Sequence, residues 1–127
     1  MLNDLKSPPV NSYDVAMATI VAADDRKGAD ISLIKVSDVS YLADYFVFIT
    51  GFSTTQVKAI AESIEKDVEE SLELLPLRRE GKSDGRWILL DYGDVIIHIM
   101  LPDDREYYNI EAFWGHAEKV PFELPTP

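Results

Sequence analysis

The side chains that could carry chemistry in this chain are few, and their spacing is not that of a catalytic site. Ser53 follows Gly51 at a predicted strand-to-helix turn, but residues 51–55 lack the second glycine of a nucleophile elbow. The two histidines, His98 and His116, stand in unrelated contexts, and no HExxH spacing, P-loop or dinucleotide-binding fingerprint occurs. The sequence therefore favours an N-capping role for Ser53 and predicts neither a metal nor a cofactor.

Nucleotidyl transfer is the enzymatic alternative, because the predicted order of strands and helices suits that fold. Such an enzyme needs a Gly-Ser turn and a pair of acids on one strand, both pointing the same way to hold two metal ions. Gly51 to Ser53 loosely resembles the first feature, but the predicted strands carry no such acid pair. We therefore expect a protein that is not an enzyme.

The charge balance indicates a basic protein as partner. The 127 residues include 12 lysines and arginines and 23 acidic residues, which gives a net charge of -11. A phosphate backbone would repel this charge, so direct nucleic-acid binding is not expected. A basic protein would be attracted and oriented by it, although solubility alone explains the same composition. The chain has no cysteine, which excludes disulfides, thiol catalysis and thiolate metal sites.

The length of the chain fits one domain. The first residues show no signal or transit peptide pattern, and the longest apolar run, residues 45–49, is far shorter than the roughly 20 residues that span a bilayer. We therefore expect a cytoplasmic protein without membrane association. We predict a flexible arm over residues 1–11, one α/β domain over 12–118 and a flexible proline-rich tail over 119–127.

Hydrophobic periodicity predicts alternating helices and strands. A capping box of Ser53 and Gln56 starts the longest helix. We predict a first helix capped by Ser12 and ending at Gly28, strands over residues 31–36, 45–50, 77–79, 87–92 and 95–101, the long helix after Ser53, and a short last helix capped by Asp103. This order predicts an α/β fold with a mixed β-sheet of about five strands and flanking helices.

The predicted hairpin over residues 87–101 is the most informative segment. Gly93 and Asp94 form its two-residue turn, since glycine supplies the positive φ that such turns require. Opposed residues then share a face, and successive residues alternate between faces. One face carries Ile88, Leu90, Tyr92, Val95, Ile97 and Ile99 and is a core face. The other face carries Trp87, Leu89, Asp91, Ile96, His98 and Met100.

Two interpretations of the second face remain open. Tryptophan, methionine and a few polar groups are typical of a partner-binding patch. A second core layer under a helix, with Asp91 and His98 hydrogen-bonded to each other or to the backbone, explains the same residues.

Three sequence blocks follow one another between residues 13 and 118. They cover residues 44–51 with Ser53, Gln56 and Val57, residues 87–98, and residues 105–108 with Glu111 and Trp114. In this order and spacing they resemble the iojap-like family of ribosomal silencing factors (RsfS). The arm and the tail lie outside the resemblance.

The resemblance implies a nucleotidyltransferase-like topology that has lost its catalytic acids. It also implies a homodimer that binds ribosomal protein uL14 on the large ribosomal subunit. Occupying that surface would block the small subunit from joining and repress translation in starvation or stationary phase. A scaffold dimer with another basic protein partner is the remaining alternative.

Partner-binding residues are carried over from the matching blocks. Trp87 would be the apolar anchor, Asp91 a charge partner for a basic group, and His98 part of the same face. Leu89 and Met100 complete the predicted patch by geometry. Tyr107, with Tyr108 beside it, is a predicted edge contact.

Overall fold

A six-stranded mixed sheet forms the middle of the fold, in the order β3-β4-β5-β2-β1-β6. The elements are α1 (Ser12–Asp25), β1 (Ala29–Lys35), β2 (Tyr45–Thr50), α2 (Thr54–Leu72), β3 (Arg78–Glu80), β4 (Trp87–Asp91), β5 (Val95–Met100), α3 (Pro102–Tyr108), α4 (Ile110–Phe113) and β6 (Glu118–Lys119). The computed structural model describes residues 10–125, so most of the predicted arm and the last residues of the predicted tail lie outside it. The predicted α/β class is confirmed, with one strand more than expected.

Strand β2 lies in the interior of the sheet, parallel to β5 and antiparallel to β1. Its residues from Phe46 to Thr50 are all buried. A strand that is apolar at nearly every position suits this place, because both of its faces are covered.

Helices α1 and α2 cover one face of the sheet and enclose the larger core. The apolar stripe of α2 faces inward as its periodicity predicts. Its buried residues are Val57, Ile60, Ala61, Ile64 and Val68. They pack with aliphatic residues of the sheet, among them Leu90 and Ile97, so this face is sealed.

The predicted N-cap of α2 is confirmed. The Ser53 hydroxyl accepts a hydrogen bond from the Gln56 amide at 3.0 Å. Gln56 Oε1 accepts from the Phe52 amide at 2.7 Å, one residue before the donor that a capping box would use. Its Nε2 also donates to the carbonyls of Arg26 and Lys27, at 3.2 and 3.1 Å, which ties the start of α2 to the end of α1.

Two other predicted caps are wrong. The N-cap of α1 is Asn11, whose Oδ1 accepts from the Tyr13 amide at 2.7 Å, and Ser12 is already helical. Helix α3 begins at Pro102, not after Asp103, and it has no side-chain cap. Proline suits this first position because it lacks the N–H that a cap would satisfy.

The predicted start of the tail at residue 119 also differs from the structure. Lys119 pairs with Ile34 in β6, and the Val120 amide donates to the Leu33 carbonyl at 2.8 Å. Val120, Phe122 and Leu124 then pack against the larger core. Their alternation is a strand-like signal that the neighbouring prolines obscured.

Over residues 10–125, none of the helices combines the length and hydrophobicity needed to cross a membrane.

Candidate functional site

The β4–β5 hairpin has the predicted register. Its paired residues run from Trp87 opposite Met100 to Asp91 opposite Ile96. The turn glycine, Gly93, has a φ of 89°. The face predicted for a partner therefore exists as one surface, and it is the sheet face opposite α1 and α2.

His98 lies at the centre of an aromatic cluster on this face. Its imidazole stacks on Phe48, with centroids 4.9 Å apart and planes 8° apart, and lies 5.9 Å from the ring of Phe46. The Trp87 indole N–H donates to His98 Nδ1 at 3.0 Å. Sequence reasoning missed the two phenylalanines, although their alternation along β2 places both on this face.

Burial sets the protonation state of His98. Desolvation lowers its pKa from 6.5 to about 4, against the weaker opposing effect of the negative charge on Glu111. The imidazole is therefore neutral at physiological pH. Because Nδ1 accepts from the indole of Trp87, the proton resides on Nε2. His98 thus acts as a fixed acceptor that orients the indole.

Two short helices cover part of this face. The ring of Tyr108 in α3 lies 5.0 Å from the Trp87 indole. Trp114, which follows α4, meets Phe46 edge-on at 5.1 Å. Neither α3 nor α4 contains a buried residue, so this cover is thin.

Two arginines hold α3 and α4 on the sheet. Arg105 donates to both carboxylate oxygens of Glu111, at 2.8 and 3.1 Å, and to the Thr50 hydroxyl at 2.8 Å. Arg86 makes a second two-point pair with Asp104, at 2.6 and 3.2 Å. Paired donors of this kind fix geometry as well as adding energy. They hold α3, and with it the ring of Tyr108, against the sheet.

The structure divides the predicted site residues by exposure. Tyr107 is 81% exposed, and Trp87 and Leu89 are partly exposed. His98 and Met100, with 6% and 1% exposure, are not accessible. Their assignment as direct contacts is therefore corrected, because both lie beneath the surface that they were predicted to form.

Asp91 is partly exposed but engaged within the chain. Its Oδ1 accepts from the Gly93 amide at 2.8 Å, and its Oδ2 lies 3.5 Å from an Arg78 guanidinium nitrogen. It therefore stabilises the turn and joins the edge strand β3 to β4. The interpretation as a second core layer included a hydrogen bond between Asp91 and His98 as one option. No such bond is present, since Asp91 bonds to Gly93 and His98 to Trp87.

Part of this face is accessible as the aromatic rim, which we define as the aromatic residues Trp87, Tyr107 and Tyr108 together with Leu89. A depression of about 340 Å³ beside it is lined by Glu80, Trp87 and Leu89. Among residues 10–125, no group of three or more histidine, aspartate or glutamate side chains is placed to hold a metal ion. The rim offers an apolar surface beside a carboxylate, which is chemistry for binding a partner.

Comparison with known proteins decides the family. A family profile described as "Ribosomal silencing factor during starvation" matches residues 9–126. The ribosomal silencing factor RsfS of Halalkalibacterium halodurans is 35% identical over 115 residues, which are 90% of this chain and 97% of that protein.

The chain belongs to the ribosomal silencing factor (RsfS) family.

The RsfS relatives include bacterial and plant proteins. The Bacillus subtilis RsfS is 36% identical, with 85% of this chain and 91% of that protein covered. The chloroplastic Iojap protein of Zea mays is 36% identical over 90% of this chain and 47% of its own length. A crystal structure of a Chromobacterium violaceum protein superposes with a TM-score of 0.81 at 36% identity, covering 91% of this chain and 95% of that one. The resemblance inferred from the three sequence blocks is thus confirmed.

Proposed function

We propose that this RsfS-family protein represses translation by docking its aromatic rim onto ribosomal protein uL14 of the large ribosomal subunit. The bound protein then occludes the surface that the small subunit needs for joining. The mechanism is steric, and no bond is made or broken. The observation that carries the proposal is an exposed aromatic rim built on a buried aromatic layer.

The rim is preorganised for binding. The Trp87 indole is held from one side by the hydrogen bond to His98 and is flanked by the ring of Tyr108. A side chain that is already ordered loses little conformational entropy when a partner covers it. Large, fixed aromatic groups are the residues that most often dominate interface energies.

Charge supports a basic protein as partner. The net charge of -11 attracts a positively charged surface, and the attraction weakens as salt screens it. We therefore expect the association rate to fall as the ionic strength rises. The same charge opposes direct contact with ribosomal RNA.

Starvation is the condition that we propose for this activity, and the description of the matching family profile supports it. We propose that the chain acts as a homodimer and, by analogy with its bacterial relatives, in the cytoplasm. Two plant relatives, from Zea mays and Arabidopsis thaliana, are named chloroplastic. Sedimentation equilibrium at micromolar concentration tests the dimer, and a monomer mass would contradict it.

The function is tested by a subunit-joining assay. Purified large subunits are incubated with the protein, small subunits are added, and the mixture is separated on a sucrose gradient. We expect the protein to migrate with large subunits and the peak of joined ribosomes to shrink as its concentration rises. Isolated uL14 added in excess should restore joining.

Two outcomes would contradict the proposal. Protein that stays at the top of the gradient does not bind the ribosome. Binding that free uL14 does not compete would instead favour another basic partner.

A further inference from the structure

Glu80 lies on the aromatic face at the free edge of the sheet. It ends β3 directly opposite Leu89 of β4, and opposed residues share a face. The next residue, Gly81, has a φ of 84°, and a Cβ atom there would lie 1.9 Å from the Trp87 carbonyl oxygen. Only glycine permits this approach, so the backbone fixes Glu80 beside the strand that carries Trp87.

The cations around Glu80 are engaged elsewhere. Arg79 and Lys82 both pair with Glu65 of α2, with Lys82 Nζ at 2.9 Å from its Oε2. Arg78 lies 3.5 Å from Asp91, and Arg86 pairs with Asp104. No ion pair among residues 10–125 includes Glu80.

The depression next to Glu80 has two apolar walls and one carboxylate. Trp87 and Leu89 form the walls, and Glu80 is exposed at the margin. An arginine or lysine side chain has the matching shape, since its aliphatic stem packs on apolar surface while its charged end stays near water and a carboxylate. An indole also attracts a cation placed over its face.

We propose that this depression receives one lysine or arginine side chain of the protein partner. The stem lies between Trp87 and Leu89, and the charged end pairs with Glu80. This inference rests on the proposed function. It assigns Glu80, which the sequence did not single out, as the carboxylate that pairs with the basic side chain of the partner. Asp91 is less suited, because both of its oxygens already have partners within the chain.

Three charge variants test the assignment in binding to purified large ribosomal subunits at low and high salt. Glu80→Gln removes the charge and keeps the shape, and Glu80→Lys reverses it. Glu70→Lys is the matched control, because Glu70 is exposed on α2, which covers the opposite face of the sheet.

We expect Glu80→Gln to bind about threefold more weakly and Glu80→Lys at least about tenfold more weakly, since exposed ion pairs contribute modestly and like charges repel. The loss should shrink at high salt. The control should stay within about twofold of the wild type, with melting temperatures unchanged for all three.

The outcomes separate the two proposals. If Glu80→Lys binds as well as Glu70→Lys while Trp87→Ala loses binding, the assignment of Glu80 and its depression is overturned. Docking through the aromatic rim is then still supported. If the wild-type protein does not bind large subunits at all, both proposals fall.

Discussion

The two faces of the sheet are covered very differently. One lies under α1 and α2, helices of 14 and 19 residues that bury eleven of their side chains. The other lies under α3 and α4, helices of 7 and 4 residues that bury none. The first face is aliphatic and sealed, whereas the second is aromatic and ends in an accessible rim.

This difference separates stability from recognition. The sealed face stabilises the fold by removing aliphatic surface from water. The aromatic face keeps large side chains at the surface and fixes them with hydrogen bonds and ring contacts. Substitutions should therefore affect unfolding on one face and binding on the other.

The adjacent residues Leu89 and Leu90 give the sharpest version of this comparison. Leu90 is fully buried on the sealed face, and Leu89 is partly exposed on the rim. Leu90→Ala should lower the free energy of unfolding by about 3 kcal/mol, because it leaves a cavity in a packed core. Leu89→Ala should cost about 1 kcal/mol or less in stability and should weaken binding to large subunits. Urea denaturation and sedimentation measure the two effects, and equal losses of stability would break the distinction.

A stability loss in mild acid should come from His98. Below pH 6.5 the unfolded chain binds a proton at this residue, whereas the folded chain does not until about pH 4. The free energy of unfolding should therefore fall as the pH drops through this window, by on the order of 3 kcal/mol. His98→Asn, which keeps an acceptor for the Trp87 indole, should lose this component while the carboxylate contribution remains. An identical pH profile for both proteins would contradict the assignment.

Arg105 should hold the short helices α3 and α4 on the aromatic face. Arg105→Ala leaves Glu111 and the buried Thr50 hydroxyl without their donor, at a cost of about 2 kcal/mol. Amide hydrogens of α3 should exchange faster, while those of α2 keep their protection. Arg105→Lys retains the charge but loses the paired donors, so it should rescue only partly. Unchanged exchange in α3 would show that other contacts hold this helix.

The smallest effect on stability belongs to Tyr107. Because it is 81% exposed, Tyr107→Ala should change the free energy of unfolding by less than about 0.5 kcal/mol. Binding to large subunits should weaken by about fivefold, which corresponds to one modest interface contact. Tyr41→Ala is the control, since Tyr41 is fully exposed in the β1–β2 connection. Equal effects of the two substitutions would remove Tyr107 from the rim.

The sequence predicted best what depends on neighbouring residues. The hairpin register follows from the Gly93-Asp94 turn and the alternation of faces, and the cap of α2 follows from Ser53 and Gln56. Both are local patterns with one favourable geometry. The family resemblance rests on the same segments.

What the sequence did not predict depends on distant contacts. Met100 is equally apolar at a buried and at an exposed position, so its burial could not be inferred from β5 alone. The role of Asp91 changed because Arg78 comes from a strand that only folding brings alongside. Glu80 became notable only when the pairing of its neighbouring cations was visible.

The most direct test of docking through the aromatic rim is the sedimentation of Trp87→Ala with purified large ribosomal subunits. It is done at a temperature where circular dichroism shows the variant folded. Trp114→Phe, at the other tryptophan and still aromatic, serves as the control. We predict that Trp87→Ala binds more than about tenfold more weakly, as expected for a central aromatic anchor, while the control binds like the wild type. A folded Trp87→Ala protein that migrates with large subunits as fully as the wild type would contradict the account.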